Sequence, residues 1–384
     1  MTTLIGADEA VRLLGVTKPT LYAYVSRGLI DRRTAVDGRT SLYRRDQVEA
    51  LASRGRRRSV PERPSIDVRI ASSITELSDD GPAYRGRDVA GLARSYGYEQ
   101  VAELLWSGDL PARRPVWPID VDDRERCLAV VSGAGTGDAL AVLALSAQTL
   151  AARHDGHATE SAADAARRLL AVAPSALGGP DEGSIAARFT AAFVRDPSPE
   201  LVAAVDTALV LLADHELATS TLAVRVACSV RAAPSAAFAA GLAVVGGRLH
   251  GGASRAVATM IDEVLTDGAP AVVSAYLEVR RLPGFGHTVY RQGDPRVGPL
   301  LDAVRGLPDA RASIEAVDAV IAEAGRRIGH LPNVDLALGA LLHAGGFPVD
   351  APLFGLARIA GWAAHYDEES AERPLRYRGL TRLR

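Results

Sequence analysis

Two alanine-rich stretches, residues 120–175 and 183–247, constrain this chain most. Apolar residues recur in them at helical spacing over far more length than a strand uses. Gly178-Gly179-Pro180 breaks the pattern between them, as glycine and proline do at a turn. Alanine and leucine dominate elsewhere too, and aromatic residues make up only 5 %. Such side chains suit helices better than sheets, so a mainly α fold is expected. At 384 residues the chain has ample material for a core and for two or three domains.

Charge is spread unevenly. Residues 1–60 hold twelve Lys/Arg against six Asp/Glu, a net of +6, while the remaining residues hold 32 against 40, a net of −8. The total of −2 excludes a whole-chain field for nucleic acid or membrane, so any such partner belongs to the basic head. Cys127 and Cys228 form no metal or redox motif, the pattern of a reducing cytosol. No apolar run reaches membrane-spanning length, and residues 1–30 lack the apolar core of a signal peptide. A cytoplasmic location without membrane contact is the expectation.

The head, residues 1–52, has its own grammar. Ala7 to Leu14 reads as a short helix and Gly15-Val16-Thr17 as a turn, with Thr17 capping a second helix through Ser26. Gly28 stops it, Leu29-Ile30 opens an extended stretch, Asp37-Gly38 turns, and Ser41-Leu42-Tyr43 returns. Asp46 is expected to cap a third helix containing Val48 and Leu51. Helix, turn, helix, wing and helix make a small winged helix-turn-helix domain. "EAVRLLGVTKPTLYAYVSRGLI" and "DGRTSLYRRDQVEAL" resemble the MerR-type and excisionase-type DNA-binding heads. That resemblance implies DNA as a partner, with Lys18, Thr20, Tyr22 and Tyr24 on or near the recognition helix and Arg39 and Arg44 on the wing. A solvated head used for packing or assembly is the plainer alternative. Residues 53–64, with an arginine run and two prolines, read as a linker.

Four polar clusters punctuate the body. Asp214-His215-Glu216 lies between apolar helical stretches and is by itself a helix boundary. Gly246-Gly247-Arg248-Leu249-His250-Gly251-Gly252 surrounds one histidine with glycines before a new helix; a poised imidazole and a close helix crossing are equally open. Pro283-Gly284-Phe285-Gly286-His287-Thr288-Val289-Tyr290-Arg291, with Asp294-Pro295-Arg296, sets a histidine and two arginines on a glycine loop, which reads as a site for a small polyanion. Pro332-Asn333-Val334-Asp335 precedes an apolar helix, and alone Asp335 reads as its N-cap. His330 and His365 read as structural, His343 as an ordinary helix histidine, and Arg376 and Arg378 as surface charges.

These clusters in this order, followed by "LFGLARIAGWAAHYDEE" and "ERPLRYRG", closely resemble citrate synthase from about Ile66 to Arg378. The resemblance implies a two-domain helical fold, with a large domain over 65–251 and 347–384 and a small domain over 252–346 that closes upon it. It implies condensation of oxaloacetate with acetyl-CoA, or with propionyl-CoA to give 2-methylcitrate. Asp335 would be the base, His250 would hydrogen-bond the thioester carbonyl, and His287 would serve the ketone of oxaloacetate. His215, Arg296 and Arg358 would hold oxaloacetate together with Arg373 from the other subunit of a homodimer. Arg291 would contact a CoA phosphate, with Leu282–Gly286 running past the adenine. No metal and no permanently bound cofactor are implied; the acyl-CoA is a co-substrate. The family usually has Asn after His-Glu-Leu, where this chain has Ala218. The head is absent from ordinary members, so a transcriptional regulator or assembly protein using the body as a ligand sensor is the alternative.

Overall fold

The computed structural model describes residues 4–14, 16–26, 28–35, 40–49, 69–78, 81–152, 160–247, 251–279, 281–287, 289–290 and 292–377. The chain forms two compact units, Met1–Ile70 and Ala71–Arg384. In the first, helices Ala7–Leu14 and Lys18–Ser26 follow a strand, Leu4–Gly6. That strand and Arg32–Thr34 both pair antiparallel with the central strand Ser41–Arg44. The N-terminal strand was not visible in the sequence pattern, since three residues are too short to show alternation. Ile5, Ala10, Leu21, Ile30, Tyr43 and Val48 meet in a small core. Gly28 turns the chain at a φ of +70° after the second helix.

The third helix begins at 45, so Asp46 sits inside its first turn rather than at its cap. Its carboxylate instead takes both arms of the Arg44 fork, at 3.2 and 2.6 Å. Lys18 pairs with Asp8 at 2.7 Å, Thr20 Oγ1 lies 3.1 Å from Thr17 Oγ1, and Tyr22 is exposed. Arg39, Leu51 and the linker 53–64 lie outside the described residues.

The second unit opens with a three-stranded antiparallel hairpin sheet, Thr75–Ser78, Gly81–Tyr84 and Arg87–Asp88. Helices follow, and polar caps set their starts. Asp88, Asp120, Asp138, Ser161, Ser184 and Ser198 each accept a backbone N–H of the following first turn. A further helix is Tyr98–Ser107. The break at 178–180 separates Ala162–Ala176 from Ile185–Phe193, with Gly178 at a φ of +97°. Two helices lie at the centre, Pro199–Leu212 and Leu353–Ser370. The second buries residues around its whole circumference, which marks a helix enclosed by others rather than lying on a surface. The Asp214-His215-Glu216 cluster sits at the end of Pro199–Leu212, and the Pro332-Asn333-Val334-Asp335 cluster opens the helix Val334–Ala344. Among the described residues, no helix is long and apolar enough to cross a membrane.

Candidate active site

The first cluster is the turn from Pro199–Leu212 into the helix Thr219–Ser229. Asp214 is fully buried there, and its Oδ2 accepts from Thr75 Oγ1 and from the Glu216 amide at 3.0 Å. Burial alone would raise this carboxyl, but His365 and Arg358 overcome that and hold it down at about 2. The Tyr84 hydroxyl, from the hairpin sheet, donates to the Asp214 carbonyl at 3.0 Å and accepts its amide at 3.1 Å. Glu216 takes a φ of 55°, a left-handed conformation that costs a non-glycine residue free energy. His215 is therefore presented on a strained, multiply pinned turn.

The glycine loop supplies the facing groups. Gly284 and Gly286 have φ of +78° and +80°. A Cβ on Gly284 would lie 2.9 Å from Leu336 Cβ, so only glycine lets the loop rest against the helix Val334–Ala344. The Asn333 amide donates to the Gly284 carbonyl at 2.9 Å, Asn333 Nδ2 to the Gly286 carbonyl at 2.7 Å, and the Gly286 amide to the Leu331 carbonyl at 2.8 Å. These bonds fasten the loop that carries His287 to the start of the helix that carries Asp335.

Asn333 is the cap of that helix, with Oδ1 accepting the Asp335 amide at 3.0 Å. Asp335 is thus not the N-cap its position suggested, and its carboxylate is left for other work. Burial raises its pKa to about 6, Asp294 adds to this, and Arg296, Arg358 and Arg281 pull the other way. A carboxyl that titrates near neutrality suits a base that takes a proton and later returns it.

His287 Nδ1 accepts the amides of Val289 and Tyr290 at 3.1 and 3.2 Å. The neutral ring's proton therefore sits on Nε2, which becomes a donor. Burial, then Arg296, hold this imidazole below its ordinary pKa. His215 is pushed further, to about 2, by burial and then by Arg296, Arg358 and His287. The two histidine rings meet edge-on at 5.3 Å. Tyr290 joins them, its ring stacked on His287 at 4.7 Å and its hydroxyl 3.1 Å from His215 Nε2.

Two buried arginines complete the group. Arg296 pairs with Asp294, Nε to Oδ1 at 2.9 Å and Nη2 to Oδ2 at 2.8 Å, and lies over the Tyr290 ring at 5.5 Å. Asp294 Oδ2 also accepts the Val334 amide at 2.9 Å, a further tie to the Asp335 helix. Arg358 lies 4.8 Å over the Phe354 ring. Among the described residues, its Nε and Nη1 meet no hydrogen-bond acceptor although the side chain is 3 % exposed. A buried charge without an acceptor is costly, and an anionic ligand would remove that cost.

The structure brings His215, His287, Arg296, Asp335 and Arg358 together. Arg373 is exposed in the segment after Leu353–Ser370. His250 and Arg291 lie outside the described residues. An open cavity of about 560 Å³, lined by Arg281, Leu282, Phe285, His287 and His330 among others, adjoins the group. A cavity of about 650 Å³ elsewhere, lined by Glu99, Trp117 and Arg188, contains none of these side chains. No cluster of metal-ligating side chains occurs among the described residues.

Sequence reasoning missed Tyr290, Asp294 and Asn333. Each stood inside a cluster already singled out, and the only signal was its spacing from Arg296 or Asp335. Arg376 is corrected: it is no loose surface charge but grips Glu369 with two arms, because that carboxylate is buried beneath it. His365 is buried between Arg225 and Asp214. His343 bridges Ser313 and Asp262 at 2.7 and 3.0 Å.

The family model described as "Citrate synthase, C-terminal domain" matches residues 68–378. The chain belongs to the citrate synthase family. Among relatives, 2-methylcitrate synthase of Mycobacterium tuberculosis is 28 % identical over 357 residues, covering 83 % of this chain and 90 % of the relative. Citrate synthase of Haloferax volcanii is 30 % identical over 337 residues, covering 77 % and 89 %. A citrate synthase from Thermoplasma acidophilum, solved as a ternary complex with carboxymethyl coenzyme A and oxaloacetate, is 26 % identical, with a TM-score of 0.67 and coverage of 83 % and 96 %. Citrate synthase of Pyrobaculum aerophilum, at 24 % identity and a TM-score of 0.69, shares the fold over 82 % and 89 % of the two chains.

Proposed function

We propose that this chain condenses oxaloacetate with an acyl-CoA, releasing CoA and forming citrate from acetyl-CoA or 2-methylcitrate from propionyl-CoA. The observation that carries the reading is the buried guanidinium of Arg358, whose Nε and Nη1 meet no acceptor among the described residues, beside Arg296 and His215. It fits a compact dianion with a ketone between its carboxylates.

Asp335 takes a proton from the acyl carbon next to the thioester carbonyl. The enolate carbon then attacks the ketone carbon of oxaloacetate. His287 donates from Nε2 to the ketone oxygen and gives its proton to the forming alkoxide. Water cleaves the resulting thioester to a carboxylic acid and the CoA thiol. His250, outside the described residues, is assigned the thioester carbonyl, where a donor stabilises developing charge. Arg291, likewise outside them, is assigned a CoA phosphate. Arg373 is assigned to the partner subunit's oxaloacetate in a homodimer; its exposure supports this.

His287, Arg296 and Asp335 all fall in the proposed small domain, 252–346, and are mutually fastened, whereas His215 and Arg358 fall in the proposed large domain. Closure would move the base, the acid and one arginine as a single body onto the other half of the dianion site and exclude water. Replacing Asp335 with Ala tests the base. Turnover should fall at least about 10³-fold while oxaloacetate still binds; a rate within tenfold of the parent refutes the assignment.

For the head we propose DNA binding by the helix Lys18–Ser26, supported by the exposed Tyr22 and the basic excess of residues 1–60. Arg39 and Arg44 would contact backbone phosphates. A fluorescence-anisotropy titration over rising salt tests it. Binding that weakens steeply with salt and is lost in Lys18→Ala/Tyr22→Ala supports the assignment; no binding at low salt refutes it.

A further inference from the structure

A buried ion chain runs through the body from the tail that carries Arg373 to the turn that carries His215. Its centre is Glu369, 1 % exposed at the end of the helix Leu353–Ser370. Its Oε1 accepts Arg376 Nε at 2.7 Å, and Arg376 Nη2 reaches Oε2. Oε2 also accepts the Tyr377 hydroxyl at 3.0 Å and Arg225 Nε at 3.0 Å. The segment 370–377, which carries Arg373, therefore returns to the carboxylate from which it departs. The Leu375 amide, donating to the Ser229 carbonyl at 3.0 Å, fixes it midway.

The chain continues inward. Arg225, fully buried on Thr219–Ser229, donates from Nη1 to His365 Nδ1 at 2.8 Å and to Glu368 Oε2 at 3.0 Å. With Nδ1 an acceptor, the His365 proton sits on Nε2, which faces Asp214 Oδ2 at 3.4 Å. Asp214 precedes His215 and holds the Glu216 amide. One carboxylate thus joins the tail bearing Arg373 to the turn bearing His215. A stability role alone explains this poorly. A buried ion network is a weak source of net stability, and well-packed apolar side chains serve as well.

We infer that Glu369 is a positioning residue for oxaloacetate: it closes the loop that presents Arg373 and, through Arg225 and His365, braces the Asp214–His215 turn. The inference rests on the oxaloacetate assignment above. The acyl-CoA loop at 282–287 is fastened to 331–334 instead, so its binding is independent of this chain.

The test uses full-length protein and calorimetric oxaloacetate affinity, which needs no turnover, alongside KM for both substrates. Glu369→Gln keeps the shape and removes the charge; Tyr377→Phe removes one bond and keeps the ring. Oxaloacetate Kd and KM should rise about tenfold or more in Glu369→Gln, equivalent to roughly 1.4 kcal/mol, and a few-fold in Tyr377→Phe. Acyl-CoA KM should change less than about twofold in both. Combining Glu369→Gln with Arg373→Ala should give less than the product of the single effects, because both act partly through one arginine. Unchanged oxaloacetate affinity, or equal changes for both substrates, overturns the inference. If Glu369→Gln fails to fold, Tyr377→Phe decides by the same criteria. Parent protein that binds oxaloacetate without turnover refutes the reaction and leaves the affinity comparison to judge Glu369. Parent protein that does not bind oxaloacetate overturns both.

Discussion

Arg358→Met separates what the site costs from what it does. The guanidinium is buried, and among the described residues Nε and Nη1 have no acceptor. Burial also lowers its pKa, against the pull of Asp214. Each unsatisfied buried donor costs about 1–3 kcal/mol. Methionine keeps the apolar stem against Phe354 and removes the charge. Part of the gain is lost, because Arg358 helps hold Asp214 ionised. A net stabilisation of about 1 kcal/mol follows, or a Tm rise of about 1–2 °C for a unit of this size. Binding moves the opposite way: truncating one partner of a buried charged pair costs about 2–5 kcal/mol, a loss of roughly 30- to 5,000-fold in oxaloacetate affinity. Scanning calorimetry without and with saturating oxaloacetate measures both. The parent should gain about 2.7 kcal/mol at a hundredfold excess over its Kd, and the variant, at the same oxaloacetate concentration, no more than about 0.9 kcal/mol. A variant that melts lower than the parent and gains as much from oxaloacetate as the parent does would refute the reasoning.

Asp335 predicts an acid limb. Its pKa is raised to about 6 by burial, so kcat/KM for the acyl-CoA should fall tenfold per pH unit below that value. The folded state also holds that proton more tightly than the unfolded chain. Its contribution to stability therefore falls as pH rises from about 4 through 6, and Asp335→Asn should melt above the parent at pH 7.5 and converge with it near pH 4. Gly284→Ala must accept a positive φ and a Cβ 2.9 Å from Leu336; a loss of about 2–5 kcal/mol by denaturant titration is expected, with kcat reduced at least about tenfold as His287 shifts from Asp335. Ala218 is the N-cap of Thr219–Ser229 and makes no side-chain cap bond, so Ala218→Asn should stabilise by about 1 kcal/mol in the same titration.

Much of this was legible because function punctuates the sequence with residues a helical body does not otherwise want. Glycines at 284 and 286, and histidines and arginines between apolar runs, marked the loop, the turn and the buried helix end. What stayed hidden depends on folding. Asp335 looked like a cap until Asn333 was seen to take that bond. Arg376 looked like a surface charge because nothing in its neighbourhood shows that Glu369 is buried beneath it. The Glu369–Arg225–His365–Asp214 chain joins residues more than a hundred positions apart, and no local pattern encodes such a connection. The Leu4–Gly6 strand is specified by its partner, Ser41–Arg44, more than by its own three residues.

The most direct test is thiol release by the purified full-length protein, with oxaloacetate and either acetyl-CoA or propionyl-CoA, and the organic product identified by mass. Oxaloacetate-dependent thiol with at least one acyl-CoA, matched by citrate or 2-methylcitrate and abolished in Asp335→Ala, is the predicted result. No oxaloacetate-dependent thiol from either acyl-CoA, at saturating substrate and with the protein folded, would contradict the proposed reaction.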